Sequence, residues 1–448
     1  MRYRTILLKL AGMCYINFER YLPKQLEFIS VYLNWSLFGF FSFVHLHLAI
    51  LFLLEMIRSS ALEVITNAIT MVIINVFAFF TLLYYKLNYK KYLRMVEYMN
   101  TQFLTRSAYG LTFMTAEKSY IVANRYTFWW TVMCMQGTLQ WAIVPLFAST
   151  RTLPIELKYP MDELADPYYQ IIYFLHSMCQ YLLGVIFGNA SSVLASTVII
   201  ASGQFDMLLC SLKNLQATAM TLNGSRLEQL RKLQSMVDSE SEELNQYYLA
   251  AELMDDIEAN TAKMRAALDR DPSKFQLSKK YLPQDNYLTD LTEELNFSIF
   301  ACIRHHQMLI EFSAMMEDFF SVFVLLKSFQ STFQICNLLF TFLKIEGTAE
   351  QYFNMTAYLI LTLLDVFQLC YFGETLKQQS SHIGDALLRC PWHLSGGPFR
   401  RIALIFLANC TKPLVMTGGK FFILDFQKLT SIMKASFSYF TLLQHLGK

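Results

Sequence analysis

The side chains best suited to bind a small molecule are sulfur-containing, aromatic and very small residues within long apolar segments. Cys134, Gly137 and Trp141 are spaced by three and then four residues, so they share one face of a helix. An apolar, aromatic-lined cavity on such a face would suit a small volatile molecule. Ordinary helix packing would give the same pattern, because aromatic residues make up 15% of the chain. The candidate ligand-binding residues, in the outer halves of four predicted membrane helices, are Ile69, Ile73, Cys134, Gly137, Trp141, Tyr173, His176, Met178, Met355, Thr356 and Leu359.

A second candidate site is a polar stripe in the last apolar segment, which we predict to be a helix from Phe421 to Leu446. Polar residues recur there at steps of three and four, which places them on one face of a helix. The stripe consists of Gln427, Thr430, Lys434, Ser438, Thr441 and His445. Within a membrane such a face needs either another polar helix or water beside it. Water would make this helix the wall of a pore, and the stripe alone leaves both alternatives open.

The sequence carries no common catalytic signature. The G-x-x-x-x-G-K-[ST], H-E-x-x-H, G-x-S-x-G and C-x-x-C motifs are all absent. Gly418-Gly419-Lys420 lacks the upstream glycine of a phosphate-binding loop and is interpreted as a helix break. Cys390 and His393 have a metal-like spacing but no second pair, which favours a structural turn over a zinc site. We therefore predict that the protein is not an enzyme and uses no metal, cofactor or nucleic acid.

The composition is typical of a helical membrane protein. Hydrophobic residues make up 54% of the 448 residues and charged residues only 16%, well below the roughly 25% of soluble domains. The mean hydropathy is +0.32. The apolar runs are long and do not alternate, which favours helices over a barrel. Seven runs reach the length of about 20 residues that a crossing needs: 29–54, 64–85, 126–148, 169–201, 308–343, 351–372 and 421–446.

The charges of the connecting loops predict the orientation of these seven helices. Lys and Arg are concentrated in the N-terminal segment and in the second, fourth and sixth connections. The first connection has only Arg58, and the third is acidic. Under the positive-inside rule the N-terminus is cytosolic and the C-terminus extracellular. A receptor coupled to G proteins has the opposite orientation, so this class is disfavoured.

The long fourth connection has a helical pattern of its own. Leu208, Leu209, Leu212 and Leu215 continue the periodicity of the fourth membrane helix, which predicts cytosolic helical extensions that pack together as an anchor domain. A solvated loop with some helix is the alternative. We divide the chain into a cytosolic N-terminal segment (1–28), membrane helices one to four (29–201), a cytosolic anchor region (202–307), helices five and six (308–372), a cytosolic helical segment (373–420), and the last helix with the extracellular C-terminus (421–448).

Two groups of residues near the end of the chain resemble a known family. KPL at 412–414, TGGKFF at 417–422 and SYFTLL at 438–443 are similar to the closing signature of insect odorant receptors. Upstream, FGE at 372–374 and IGDA at 383–386 resemble that family's sixth helix and the segment after it. The longer fourth connection of the family's co-receptor is missing, so the resemblance favours an odour-tuned subunit.

The resemblance implies a ligand-gated, non-selective cation channel in the plasma membrane of olfactory sensory neurons. Such a channel is a heterotetramer of this subunit with the odorant receptor co-receptor, surrounded by membrane lipid. It binds a small volatile odorant in an outer-leaflet pocket between the second, third, fourth and sixth helices, and the last helix lines the central pore. The closing motif places a hydrophobic gate at Leu442 and Leu446. Together with the polar stripe, the pore and gate candidates are Ser438, Thr441, Leu442, His445 and Leu446.

Two other classes of protein stay open. One is a gustatory-type or self-sufficient homomeric channel of the same superfamily. The other is a transporter, which would show inverted repeats and interrupted helices, and the sequence has neither.

Overall fold

A computed structural model describes residues 62–107, 114–143, 164–223, 291–344, 349–390 and 395–446, with isolated positions at 47–54 and 146–153. The described chain is almost entirely α-helical. The predicted first membrane helix, apart from those isolated positions, lies outside the described residues. Described elements in chain order are α1 Leu62–Leu87, α2 Tyr89–Thr101, α3 Glu117–Ile143, α4 Tyr168–Lys213, α5 Leu215–Leu222, α6 Thr292–Lys344, α7 Ala349–Arg389, α8 Gly397–Cys410, β1 Thr417–Gly418, β2 Phe422–Ile423 and α9 Phe426–Leu446.

Three of these helices are longer than a membrane crossing needs. Helices α4, α6 and α7 have 46, 53 and 41 residues. At 1.5 Å per residue, 40 residues span about 60 Å, roughly twice the hydrocarbon thickness of a bilayer. The predicted continuation of the fourth helix is present. Leu208, Leu209 and Leu212 are buried in α4, and Leu215 is buried at the start of α5.

Length and hydropathy identify membrane-crossing candidates among the described helices. Tyr168–Lys213 and Tyr352–Leu388 are each apolar and long enough to cross a bilayer. Val72–Leu87 and Tyr89–Thr101 reach the same criterion together but meet at a 62° bend. The described chain therefore supports a helical membrane protein, and the total of seven crossings stays a prediction.

Helix α4 lies at the centre, with α3 packed along it and α1, α6 and α7 around it. Two glycines one turn apart allow the close approach of α3. A Cβ on Gly184 would lie 3.0 Å from the carbonyl oxygen of Cys134, and one on Gly188 would lie 3.2 Å from the Cα of Thr131. Small residues four apart bring membrane helices together in this way.

A short hairpin precedes the last helix, so this helix begins later than predicted. Strands β1 and β2 pair antiparallel, and Gly419 and Lys420 take positive φ angles of 59° and 64° between them. These left-handed conformations form a turn and stop a helix from starting at Phe421. Helix α9 starts at Phe426, where the Asp425 carboxylate accepts a hydrogen bond from the Lys428 N–H at 3.0 Å and caps the first turn.

Candidate functional site

A cavity of about 130 Å³ lies between α1, α3, α4, α6 and α7. Gly137 lies 11 residues from the predicted outer end of its helix at Ala148, and Leu361 lies 10 residues from the outer end at Gln351. At 1.5 Å per residue these distances are about 15 Å, close to mid-membrane. The lining includes Ile74, Trp130, Cys134, Gly137, Gln180, Leu183, Phe187, Lys327, Gln330, Tyr358, Leu361, Thr362 and Asp365.

An ion pair forms one wall of this cavity. The Lys327 ammonium lies 2.7 Å from Oδ2 of Asp365, and the two side chains are only 4% and 15% exposed. The same ammonium lies 5.1 Å from the ring centre of Phe77 and 4.7 Å from that of Phe187. Charges in a membrane interior are stable only when they are paired, and aromatic faces add further attraction for a cation. This pair ties α6 to α7.

Three residues of the cavity lining each carry a buried polar atom that has no hydrogen-bond partner among the described residues. The atoms are Nε1 of Trp130, Oε1 of Gln330 and Oδ1 of Asp365. The amide of Gln330 does donate to Gln334 on the next turn of α6. Buried polar atoms in proteins are usually hydrogen-bonded, so three unpaired atoms on residues beside one cavity are unusual.

Two hydrogen bonds join the helices on the side of the cavity nearer the predicted outer membrane face. The Gln140 side chain donates to Oδ1 of Asn354 at 2.5 Å and joins α3 to α7. The Tyr173 hydroxyl donates to the carbonyl oxygen of Ala142 at 2.5 Å and joins α4 to α3.

The hairpin connects the cavity helices to the start of α9. The Glu317 carboxylate of α6 accepts hydrogen bonds from the Thr417 N–H, at 2.8 Å, and from the Thr417 hydroxyl. The Gly419 N–H donates to the Ser321 carbonyl oxygen at 2.9 Å. From α7, Lys377 pairs with Asp425 at 3.2 Å. These contacts tie both α6 and α7 to the hairpin and to the start of α9.

One face of α9 packs on the subunit and the other is exposed. Ile432 and Ser436 are buried, and the Ser436 hydroxyl lies 3.2 Å from the Thr332 carbonyl oxygen. On the opposite side Ser438, Thr441 and Leu442 are exposed. His445 and Leu446 belong to the helix, but their side chains lie outside the description.

The family follows from comparison with known proteins. A family model described as "7tm Odorant receptor" matches residues 61–437, more than four fifths of the chain. The chain belongs to the odorant receptor family. Consistent with this, putative odorant receptor 85e of Drosophila melanogaster is 32% identical over 432 residues, which cover 95% of this chain and 87% of the relative.

Other relatives agree with this assignment. Odorant receptor 83a of Drosophila melanogaster is 27% identical over 96% of this chain and 91% of its own length. The odorant receptor coreceptor of Aedes albopictus is 23% identical over 66% of this chain and 63% of its own length. Among solved structures, olfactory receptor OR5 of Machilis hrabei in complex with eugenol has a TM-score of 0.70 at 14% identity, covering 99% of this chain and 97% of that one. That similarity shows a shared fold.

The predicted ligand-binding residues of this odorant receptor fall into two groups. Cys134 and Gly137 line the cavity. Ile73 is half-buried beside the lining residue Ile74, and Ile69 is exposed. Trp141 continues the same face of α3, but its side chain lies outside the description.

The remaining predicted residues of the odorant receptor are not among the lining residues of the cavity and lie nearer the predicted outer ends of α4 and α7. Tyr173 is half-buried and His176 is buried, whereas Met178 is exposed. On α7, Met355 and Leu359 are half-buried and Thr356 is exposed. This helix instead turns Ala357, Tyr358, Leu361, Thr362 and Asp365 towards the cavity. A ligand-binding role for the predicted residues stays a prediction.

The sequence analysis of this odorant receptor missed the ion pair, although its signal is present. Lys327 and Asp365 are charges within otherwise apolar runs, and such residues mark functional sites in membrane proteins by default. Their mutual contact across 38 residues of sequence could not be read from spacing.

Proposed function

We propose that this odorant receptor is the odour-tuned subunit of a ligand-gated, non-selective cation channel that forms a heterotetramer with the odorant receptor co-receptor. The observation that carries the proposal is the cavity of about 130 Å³, lined by five helices of an odorant receptor fold. Similarity to co-receptors over 66% of the chain supports assembly with a related subunit, because related chains can form equivalent contacts in a ring. The channel lies in the plasma membrane of olfactory sensory neurons, with lipid around its helices.

Opening of the pore follows a mechanical path through α6 and α7. A volatile molecule in the cavity contacts both helices beside the Lys327–Asp365 pair and favours one arrangement of them. Glu317 and Lys377, on these two helices, hold the hairpin and the first turn of α9. When α9 leans outward, the leucines at the constriction separate and water and cations enter.

The exposed face of α9 accommodates both sets of pore candidates. Thr441 of the polar stripe and Leu442 of the proposed gate follow each other, about 100° apart on the helix, and both are exposed in the single subunit. Cysteine substitution at each position, followed by a charged thiol reagent, tests the gate. Odour-dependent block at Leu442 supports it, and block at Thr441 alone would remove the leucine from the ion path.

Expression of the chain with and without the co-receptor tests the proposal. We expect calcium entry in response to a panel of small volatiles only when both chains are present. Gly137→Ala is expected to weaken the response about tenfold, equivalent to about 1.4 kcal/mol of binding, because its Cβ would lie 2.6 Å from Cδ1 of Leu361 at the cavity. Gly397→Ala is the control, since its Cβ would meet nothing within 4 Å. A response from this chain alone would contradict the heteromer.

A further inference from the structure

The cavity has the size of a very small molecule. An engineered apolar cavity of about 150 Å³ accepts benzene, which has six heavy atoms. The cavity of about 130 Å³ is slightly smaller. A guest of about six heavy atoms would therefore fill it.

The polar atoms on the lining point to a particular functional group. Oδ1 of Asp365 can only accept a hydrogen bond and Nε1 of Trp130 can only donate one. Trp130 is 8% exposed and Gln330, with a further unpaired oxygen, is 7% exposed, so bulk water does not serve these atoms. A hydroxyl group both donates and accepts. A ketone only accepts, and a hydrocarbon does neither.

The charge balance of the site excludes an ionised ligand. The Lys327 ammonium is already held by Oδ2 of Asp365 and by the rings of Phe77 and Phe187. The pair is neutral as a whole. A carboxylate or a protonated amine would add an uncompensated charge to a buried site, which is strongly unfavourable.

We infer that the cavity selects a small neutral alcohol or phenol, whose hydroxyl group donates to Asp365 and accepts from Trp130. Ile74, Leu183, Phe187 and Leu361 surround its hydrocarbon part. This inference rests on the proposed function, because it assigns the ligand class of the same cavity. A site built to bond a hydroxyl group rejects analogues that lack it, since its own polar atoms are then left unpaired.

The test compares four compounds with six heavy atoms each on cells that express this chain with the co-receptor. These compounds are cyclopentanol, cyclopentanone, methylcyclopentane and cyclopentylamine. Cyclopentanol is expected to activate at a concentration at least about tenfold lower than the other three. Thermal stabilisation of the purified complex by the same compounds measures binding separately from opening.

Two variants separate the hydroxyl contact from cavity shape. Lys327→Met/Asp365→Leu removes the pair together, which is tolerated better than removal of one partner, and should reduce the preference for cyclopentanol over methylcyclopentane to less than about threefold. Trp130→Phe removes only the N–H donor and should weaken the same preference. Lys91→Met/Asp318→Leu is the control, because that pair, at 3.0 Å, is exposed and neither residue belongs to the cavity lining.

The outcomes distinguish this inference from the proposed function. If odours open the channel but cyclopentanol has no advantage, or keeps its advantage in Lys327→Met/Asp365→Leu, the inference is overturned and the channel proposal stands. In another outcome no current appears, but of the four compounds only cyclopentanol stabilises the complex, and Lys327→Met/Asp365→Leu abolishes the stabilisation. The ligand class then stands and the channel proposal falls. If cyclopentanol has no advantage in either assay, the inference is overturned.

Discussion

Removal of one partner of the buried Lys327–Asp365 pair is expected to destabilise the receptor far more than removal of both. At a separation of 2.7 Å and an effective dielectric constant of about 20, the attraction between the charges is about 6 kcal/mol. Desolvation offsets much of this attraction, so the pair itself contributes little to stability. Lys327→Met or Asp365→Leu alone leaves an uncompensated buried charge and should cost about 3–5 kcal/mol. The double variant should lie within about 1 kcal/mol of the unmodified protein, because apolar residues of similar size replace both charges.

A double-mutant cycle on the complex in lipid nanodiscs measures this difference by denaturant unfolding, with surface abundance in cells as a second readout. The exposed pair Lys91–Asp318, with side chains 45% and 65% exposed, is the matched control. Its single and double variants should each change the free energy of unfolding by no more than about 1 kcal/mol. Two results would contradict the mutual stabilisation of the two buried charges. In one, the single variants of Lys327 and Asp365 stay within about 1 kcal/mol of the unmodified protein. In the other, the loss of stability in the double variant equals the sum of the single losses.

Three further predictions concern other parts of the fold. Gly184→Ala should lower the free energy of unfolding by about 1–3 kcal/mol, because its Cβ would lie 2.5 Å from Oγ1 of Thr138; denaturant unfolding measures this, and no loss would mean that α3 and α4 are not tightly packed. Glu317→Ala should cost about 1–3 kcal/mol and shift the odour dose–response curve, because the Thr417 N–H and hydroxyl lose their acceptor; an unchanged curve would contradict the hairpin's role in opening. Burial, with a smaller effect from His306, lowers the pKa of His305 from 6.5 to about 4, so the unfolded chain takes up this proton first. Roughly 3 kcal/mol of stability, complete above pH 6.5, should be lost as the pH falls towards 4; His305→Gln should flatten this part of the pH profile, and an unchanged profile would contradict the assignment.

The sequence predicted the broad architecture because hydrophobic periodicity is a local signal. Long apolar runs identified the long helices that the structure describes, and Leu208, Leu209 and Leu212 indicated the continuation of α4. Cys134 and Gly137 were found because their spacing defines one face of α3. In each case the relevant residues lie on one element.

Features that depend on several elements could not be predicted in the same way. The rotation of α7, which brings Tyr358 and Leu361 to the cavity, is set by packing against α4, and one residue of register turns a side chain by about 100°. The contact between Lys327 and Asp365 joins two helices. The late start of α9 depends on the left-handed turn at Gly419 and Lys420, where a non-glycine residue takes a positive φ angle.

The most direct test of the central claim is a current recording from excised inside-out membrane patches that contain this chain and the co-receptor. The bath contains no nucleotides and no soluble signalling proteins, so only a channel formed by the receptor itself can respond. We expect a small volatile, with cyclopentanol as the first choice, to open a non-selective cation current in these patches and none in patches with either chain alone. A response that requires added GTP, or that appears in patches with this chain alone, would contradict this expectation.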